Sequence, residues 1–364
     1  MPNDLTGNKG EWSEFYTLLK VLAEQKLYSA DANLQILENI FYPVLRVISA
    51  KNTANEVHYD LTKDTASILI YNPRTNSFHT IERDAVRKCL PDILKAIKEA
   101  GTGTFSIDLA GALFEKLERK NITAKCSNKA DIFLVIHDRN TGIEPEIGFS
   151  IKSELGASPT LLNASGATNF IYEIVNPIPD IERLNEIDTR SKMRDRLSSL
   201  ILGGSSLKFV GMSSDVFKSN LMKIDSAMPS ILADMLVIYY SGLTSGTITE
   251  VTKTYEEGKN KSEDVVEKGF YEFKIRNLLM YSALGMMPST KWDGLLEAHG
   301  GYLIVREDGE IVCYHIYNQD QFREYLYKNT RFETPATHRH AYGSVYKDGD
   351  KYYIKLNLQI RFTR

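Results

Sequence analysis

Hydrophobic positions recur with two different periods along this chain. Near the N-terminus the apolar residues Trp12, Phe15 and Leu19 follow one another at three- and four-residue steps, the spacing of the buried face of an amphipathic helix. The same spacing returns over 82–100, in "DLAGALFEKLERKN", and through much of 181–298. These segments are predicted to be helical.

Between the helical segments, short runs rich in β-branched and aromatic residues predict strands. They include "YPVLRVIS", "EVHYDL" and "ASILIYN", the pair "ADIFLVIHD" and "EIGFSIKS" around the turn "RNTGIEP", and "GYLIVREDGEIVCYHIYN". A last hairpin, "GSVYKDGDKYYIKLNLQIRF", turns at its DGD. The expected fold class is α/β, as one domain over 1–364. We divide it into a core over 1–175, a helical region over 176–298 and a β-rich part over 299–364.

The amino-acid composition limits the possible classes of protein but does not identify a function. The 364 residues carry 44 basic and 47 acidic side chains, a formal charge of −3, so a uniformly basic surface is excluded while local patches are not. Three cysteines far apart in sequence fit a reducing compartment. No apolar run approaches the roughly 20 residues that cross a bilayer. We expect a cytoplasmic protein without a membrane partner.

One strand pair places a carboxylate and an amine at the same end of a sheet. Asp131 opens the first strand and Lys152 ends the second, and adjacent antiparallel strands lie about 4.8 Å apart. Ser150 shares the Lys152 face, which we expect to be open, while Ile151 belongs to the opposite, buried face. Such a pair suits Mg²⁺-dependent phosphodiester cleavage, in which the carboxylate holds the metal and the lysine supplies positive charge. The alternative is a strand-end ion pair.

The pattern "KADIFLVI" followed by "GFSIKSELG" resembles the core of PD-(D/E)XK nucleases. The longer run "GFSIKSELGASPTLLNASGATNFIYEI", the opening "NKGEWSEFYTLLKVL" and the ending "YYIKLNLQIRF" together resemble the HpaII-type family of type II restriction endonucleases. This resemblance implies Mg²⁺-dependent, sequence-specific hydrolysis of double-stranded DNA with 5′-phosphate ends. It also implies a bacterial protein, a homodimer on DNA, and a DNA methyltransferase as genetic partner.

The sequence departs from the nuclease pattern at Ser150, where a second metal-binding acid is expected. We rank three replacements. Glu14 comes first because "G-x-x-x-E" on the first helix resembles the helix glutamate that completes many sites of this fold. Glu154 follows the strand directly and comes second, and Glu146 comes third because six residues of strand put it about 20 Å from Lys152. A solvated Glu14 favouring the helix dipole is the structural alternative, and a nuclease-fold DNA-binding protein without activity is the alternative function.

Two regions are candidates for DNA contact. The polar loop after the strand pair, residues 163–169, offers Asn163, Ser165, Thr168 and Asn169, whose amides and hydroxyls can bond base edges or phosphates. A turn that satisfies its own backbone is the alternative.

The C-terminal part is the second candidate. From residue 320 onward nine basic residues oppose five acidic ones, a local charge of +4. Arginine pairs with guanine and with phosphate, although charges at a solvated hairpin edge are the alternative. The candidates here are Arg331, His338, Arg339, Gln359 and Arg361.

Overall fold

The structure is a computed structural model that describes residues 5–123, 126–127, 129–139, 141–176, 180–259 and 267–363. It divides into two compact units. Within the described residues, unit 1 comprises 5–159 and 296–325, and unit 2 comprises 160–295 and 326–363. The sequence analysis divided the chain at 175 and 298. The two units instead change at 159/160 and 295/296, and the β-rich part over 299–364 is shared between them, with the change at 325/326.

The described residues contain both helices and strands, so the mixed α/β class is confirmed. The helices are α1 Lys9–Glu24, α2 Arg83–Glu99, α3 Ala110–Lys116, α4 Ile181–Glu186, α5 Lys192–Leu202, α6 Asp215–Ile224, α7 Met228–Tyr240, α8 Ile248–Lys259, α9 Phe270–Leu284, α10 Gln319–Lys328 and α11 Thr337–His340. Among these described helices, none is long and apolar enough to cross a membrane.

The strands are numbered in the same way along the chain. The first nine are β1 Thr6–Gly7, β2 Lys26–Ala30, β3 Ile36–Ser49, β4 Val57–Asp60, β5 Ser67–Asn72, β6 Ser77–Glu82, β7 Phe105–Ser106, β8 Ile132–Ile136 and β9 Glu146–Ser153. The others are β10 Thr160–Leu162, β11 Asn169–Val175, β12 Ser206–Met212, β13 Gly301–Val305, β14 Ile311–His315, β15 Thr330–Phe332, β16 Val345–Asp348, β17 Lys351–Asn357 and β18 Ile360–Phe362.

Unit 1 is built around a mixed nine-stranded sheet. Its strand order is β2-β14-β13-β9-β8-β3-β4-β5-β6. The predicted pair β8 and β9 lies inside this sheet, antiparallel to each other, and β13 runs parallel to β9 on its other side. The first half of β9, up to Phe149, is therefore held in register by β8, and the second half, from Phe149 onward, by β13.

Helix α1 anchors the core of unit 1. Its first turn is closed by a capping box, in which Asn8 accepts from the Glu11 amide at 3.1 Å and Glu11 accepts from the Asn8 amide at 2.8 Å. The predicted apolar face is buried, with Trp12 and Phe15 fully enclosed. Each large side chain buried in this way contributes about 2 to 3 kcal/mol. Helix α1 also reaches β9, where the Ser13 and Ser153 hydroxyls lie 2.8 Å apart.

Unit 2 combines helices with two smaller sheets. The four-stranded sheet has the order β12-β11-β17-β16 and the three-stranded sheet has the order β10-β18-β15. The predicted helical region over 181–298 contains α4 to α9. It is interrupted by β12, in which exposed and half-buried residues alternate, and its helices end at Leu284. The tripeptide Glu272-Phe273-Lys274 matches the E-x-K part of the nuclease pattern, but it lies on helix α9 rather than at a strand end, and its glutamate pairs with Arg276 at 2.6 Å.

Candidate active site

The ends of β8 and β9 bring three of the predicted residues into direct contact in unit 1. The Asp131 amide donates to the Phe149 carbonyl at 2.8 Å, which extends the antiparallel ladder by one residue. Asp131 then receives two hydrogen bonds on Oδ2, from the Ile151 amide at 2.7 Å and from the Ser150 hydroxyl at 3.1 Å. The carboxylate is thus fixed against β9.

Ser150 links the carboxylate to the amine. While its hydroxyl donates to Asp131, its oxygen accepts from Lys152 Nζ at 2.9 Å. A hydroxyl can donate and accept at once, whereas an ionised carboxylate can only accept. Serine therefore permits a continuous chain from Lys152 through Ser150 to Asp131. We call these three residues, with the Ile151 main chain, the strand-end site.

Lys152 has two further contacts that fix its ammonium group. Its Nζ donates to the Ile151 carbonyl at 3.1 Å, and it lies 5.2 Å from the centre of the Tyr302 ring. Tyr302 is opposite Ser150 on the parallel strand β13. A lysine side chain loses up to about 2 kcal/mol of conformational entropy when it is fixed. Because these contacts already fix Lys152, this entropy is not lost again when a substrate binds.

The expectation that this face of β9 is open is wrong for its middle part. Ser150 is only 3% exposed, and Gly148 is covered because the chain before β13 crosses it. A Cβ on Gly148 would lie 3.0 Å from the Glu297 carbonyl and 2.9 Å from the Phe133 ring. The Gly300 amide also donates to the Gly148 carbonyl at 2.7 Å. Lys152, which is half-buried, is where the face opens.

Two residues next to the strand-end site were missed by the sequence analysis. Glu297 Oε2 accepts from the Lys129 amide at 3.0 Å, which holds the segment that leads into Asp131. Burial, and to a smaller extent the charge of Lys152, lower the pKa of the Lys129 amine to about 8, although the charges of Glu297 and Asp131 oppose the shift. Lys129 could have been predicted from the sequence because it precedes Asp131 by only two residues. Glu297 could not, because no nearby residue pattern connects it with Lys129.

Glu14, the first-ranked second carboxylate, lies half-buried on α1, one residue from the Ser13 contact with β9. Its charge interacts with Arg119, whose pKa is lowered by burial and raised by Tyr59 and Glu14. A further link leads toward the strand-end site, because the Cys126 thiol lies 3.8 Å from the Asp131 carbonyl and also interacts electrostatically with Arg119. Glu14 therefore lies on the helix that contacts β9, with a buried arginine as an electrostatic partner.

The other two ranked carboxylates have structural partners. Glu154 Oε2 accepts from the Glu307 amide at 3.3 Å, just beyond the end of β9. Glu146 forms an ion pair with Lys51 and lies opposite Val135 at the other end of β9. Across the part of the chain that the structure describes, no group of three or more His, Cys, Asp or Glu side chains is gathered as a metal cluster.

The polar loop of unit 2 uses most of its side chains inside the fold. Thr168 and Asn169 are 0% and 2% exposed. Asn357 donates to the Asn169 amide oxygen at 2.7 Å and to the Ser165 carbonyl at 2.8 Å. The Ser165 side chain caps the short 3₁₀ turn Gly166–Thr168. The self-satisfied turn is thus the interpretation that these contacts support, and Thr168 and Asn169 are withdrawn as DNA contacts.

Asn163 differs from these residues because it is exposed. This contrast gives a stability prediction. Replacing Asn357 with alanine leaves the buried amide of Asn169 and the Ser165 carbonyl without their partner, and we expect the free energy of unfolding to fall by about 2 kcal/mol. Denaturant unfolding measures it. The matched change Asn163→Ala should stay within about 0.5 kcal/mol of wild type, and equal effects of the two changes would contradict the structural role.

The C-terminal candidates occupy a different part of unit 2. Arg331 on β15 is directly opposite Arg361 on β18, and Arg331 pairs with Glu333 at 2.9 Å. His338 and Arg339 are exposed on α11, and Gln359 is half-buried with its carbonyl bonded to the Glu333 amide. Like charges directly opposite in a sheet are destabilising, and Glu333 offsets the charge of Arg331.

Comparison with known proteins decides the family. The model of the HpaII restriction endonuclease family matches residues 8–362. The chain belongs to the HpaII restriction endonuclease family. The type II restriction enzyme HpaII of Haemophilus parainfluenzae is 39% identical to it over 365 residues, with 100% of both chains covered. No solved structure matches. The resemblance predicted from sequence is confirmed, and the named relative is an enzyme of the predicted class.

Proposed function

We propose that this member of the HpaII family is a type II restriction endonuclease that hydrolyses phosphodiester bonds of double-stranded DNA at a specific sequence and leaves 5′-phosphate ends. The observation that carries the proposal is the hydrogen-bonded chain from Lys152 through Ser150 to Asp131. It joins a fixed positive charge to a fixed carboxylate at one sheet end. The same arrangement supports a PD-(D/E)XK-type core.

The donor set of the strand-end site fits Mg²⁺. This ion prefers hard oxygen ligands and is commonly held by one or two carboxylates together with water and substrate phosphate. Asp131 supplies a carboxylate whose two hydrogen bonds both fall on Oδ2, and the Ile151 carbonyl is a second oxygen in the site. We propose Asp131 as metal ligand, with Glu14 first and Glu154 second as the completing carboxylate. Bound Mg²⁺ would polarise the scissile phosphate and acidify a water.

The protein's own groups then position and stabilise charge. Lys152 is held by Ser150 and by the Ile151 carbonyl, so its ammonium is fixed before the substrate arrives. A preorganised charge stabilises the negative charge that develops on a phosphoryl group without reorganisation during the reaction. Ser150 keeps the lysine and the carboxylate at a constant separation. Its role is to position both.

Recognition of the DNA sequence is proposed for unit 2. We propose that Arg331 and Arg361, which are opposite each other on β15 and β18, contact DNA together with the exposed His338 and Arg339, and that Gln359 and Asn163 contribute amides. Ser165 remains a proposed DNA contact because this residue is half-exposed. Arginine forks suit guanine edges and phosphate oxygens. A palindromic target would make the acting species a homodimer, and an active enzyme needs a DNA methyltransferase that protects the host.

The deciding experiment incubates the purified protein with unmethylated supercoiled plasmid and Mg²⁺. Discrete fragments are expected, and sequencing their ends gives the target and the 5′-phosphate. DNA binding without cutting would instead support the alternative of a nuclease fold that has lost activity. Random degradation would contradict sequence-specific cleavage.

The second carboxylate gives a further prediction. In Glu14→Gln we expect cleavage to fall by about a hundred-fold, because the site loses one charged oxygen ligand, and we expect more Mg²⁺ to be needed. The cleavage rate as a function of Mg²⁺ concentration measures this effect. Thermal unfolding checks that removing the charge that interacts with Arg119 does not destabilise the fold. The matched Glu154→Gln keeps an acceptor for the Glu307 amide and should retain activity. The reverse result would transfer the role to Glu154.

A further inference from the structure

Unit 2 contains a cleft of about 450 Å³ with a strongly basic lining. It is formed by the start of α5, the end of α7 and the segment before α11. Its cationic side chains are Arg190, Lys192 and Arg194, with His338 on the opposite wall. Threonine hydroxyls and the Tyr239 ring line the remainder. The described residues of this lining include no aspartate or glutamate. We call it the basic cleft.

A second cleft of unit 2 shows that this composition is not general. That cleft, about 810 Å³, is lined by Lys253, Lys268 and Arg276, and also by three glutamates, so its charges balance. The basic cleft lacks this balance within its described lining. An acid outside that lining, Asp188, pairs with Lys192 at 2.8 Å. Asp188 is 79% exposed, and such surface pairs contribute little.

The cations also stand where the helix itself disfavours them. Lys192 and Arg194 occupy the first turn of α5, and the Ser191 side chain makes no capping hydrogen bond there. The first turn also holds one acid, Asp195, whose carboxylate accepts from the Thr189 hydroxyl. The N-terminal end of a helix carries partial positive charge, so a cation there is destabilising. Arg194 is held in this position, since its guanidinium donates to the Gly242 carbonyl at 2.9 Å. Arg194 is therefore fixed on the cleft wall, where its guanidinium can bind an anion.

We propose that the basic cleft binds phosphates of the DNA backbone and contributes affinity without sequence preference. The proposal rests on the proposed function, because DNA is the polyanion on which that function acts. Arginine and lysine with neighbouring hydroxyls are the usual partners of backbone phosphates. The cleft is distinct from the Arg331 and Arg361 pair, for which base contacts are proposed.

The test compares two double variants of the full chain by fluorescence anisotropy, with EDTA present so that cleavage is excluded. Arg190→Gln with Lys192→Gln removes two cations from the basic cleft and relieves the first turn of α5, so folding is retained. Lys253→Gln with Lys268→Gln removes two exposed cations from the balanced cleft and is the control. Each is titrated with a duplex that the wild type cuts and with a duplex that it leaves intact.

In the basic-cleft variant we expect the affinity to fall by about tenfold, equally for both duplexes. We also expect a salt dependence of log K that is shallower by about 0.9 for each DNA phosphate that the variant no longer neutralises. The control should keep the wild-type slope. If the two double variants lose equally little affinity, or if only the cut duplex is affected, the backbone-phosphate proposal is overturned while the nuclease assignment stands. If the wild type binds neither duplex, the proposed function fails as well.

Discussion

Replacing Lys152 with alanine is expected to lower the rate of DNA cleavage by about a thousand-fold while the affinity for duplex DNA changes by less than about tenfold. The ammonium is held by Ser150 and by the Ile151 carbonyl in the strand-end site, so its loss removes a charge that is aimed at the reacting phosphate. One cation among many contributes little to overall binding. Single-turnover cleavage of a plasmid and anisotropy with a short duplex measure the two effects separately.

Lys51→Ala is the matched control. Lys51 is also half-buried, and its Nζ lies 4.3 Å from the centre of the Phe133 ring, as Lys152 Nζ lies 5.2 Å from that of Tyr302. Its partner, however, is Glu146 at the far end of β9. Cleavage close to wild type is expected for this variant. If Lys152→Ala cut DNA as fast as Lys51→Ala does, the proposed active site would be wrong.

Changing Asp131 to asparagine should have a comparable effect on cleavage for a different reason. The asparagine oxygen can still accept from the Ile151 amide and the Ser150 hydroxyl, so the strand ends stay together and thermal unfolding should change little. The negative charge that would hold Mg²⁺ is lost. We expect cleavage to fall by about a thousand-fold or more, and calorimetric titration with Mg²⁺ should show weaker metal binding to the protein–DNA complex.

Asp138→Asn provides the comparison at the opposite end of β8. Asp138 is 2% exposed and accepts from the Thr141 hydroxyl at 2.5 Å, so it matches Asp131 in type and in hydrogen bonding but not in position. Its metal binding and cleavage should equal those of the wild type. Retained Mg²⁺ affinity in Asp131→Asn would mean that another group holds the ion, and the assignment of Asp131 would then be abandoned.

The strand pair was predictable because its information is local. Alternation over β9 and the turn before it determine which residues reach the sheet end, and the antiparallel register then brings Asp131 to Ile151. Tyr302 and Glu297 were not predictable. They reach the site through the parallel pairing of β13 with β9, a contact between segments about 150 residues apart, which periodicity within a segment does not reveal.

The polar loop shows a different limit. Asn, Ser and Thr are suited both to base recognition and to turns that bond their own backbone, so composition left both possibilities open. For Thr168 and Asn169 the structure favours the turn. Asn357, on another strand of unit 2, hydrogen-bonds to both side chains, and both are buried. The exposed Asn163 has no such constraint. Long-range packing, rather than residue type, separates the two cases.

The serine between the amine and the carboxylate has its hydroxyl proton oriented by both neighbours. An ammonium only donates and an ionised carboxylate only accepts, so the Ser150 hydroxyl proton has a single orientation, toward Asp131, while both ends are charged. The O–H bond of Ser150 therefore points away from Lys152 and toward Asp131, which gives the strand-end site a fixed polarity along the end of β9.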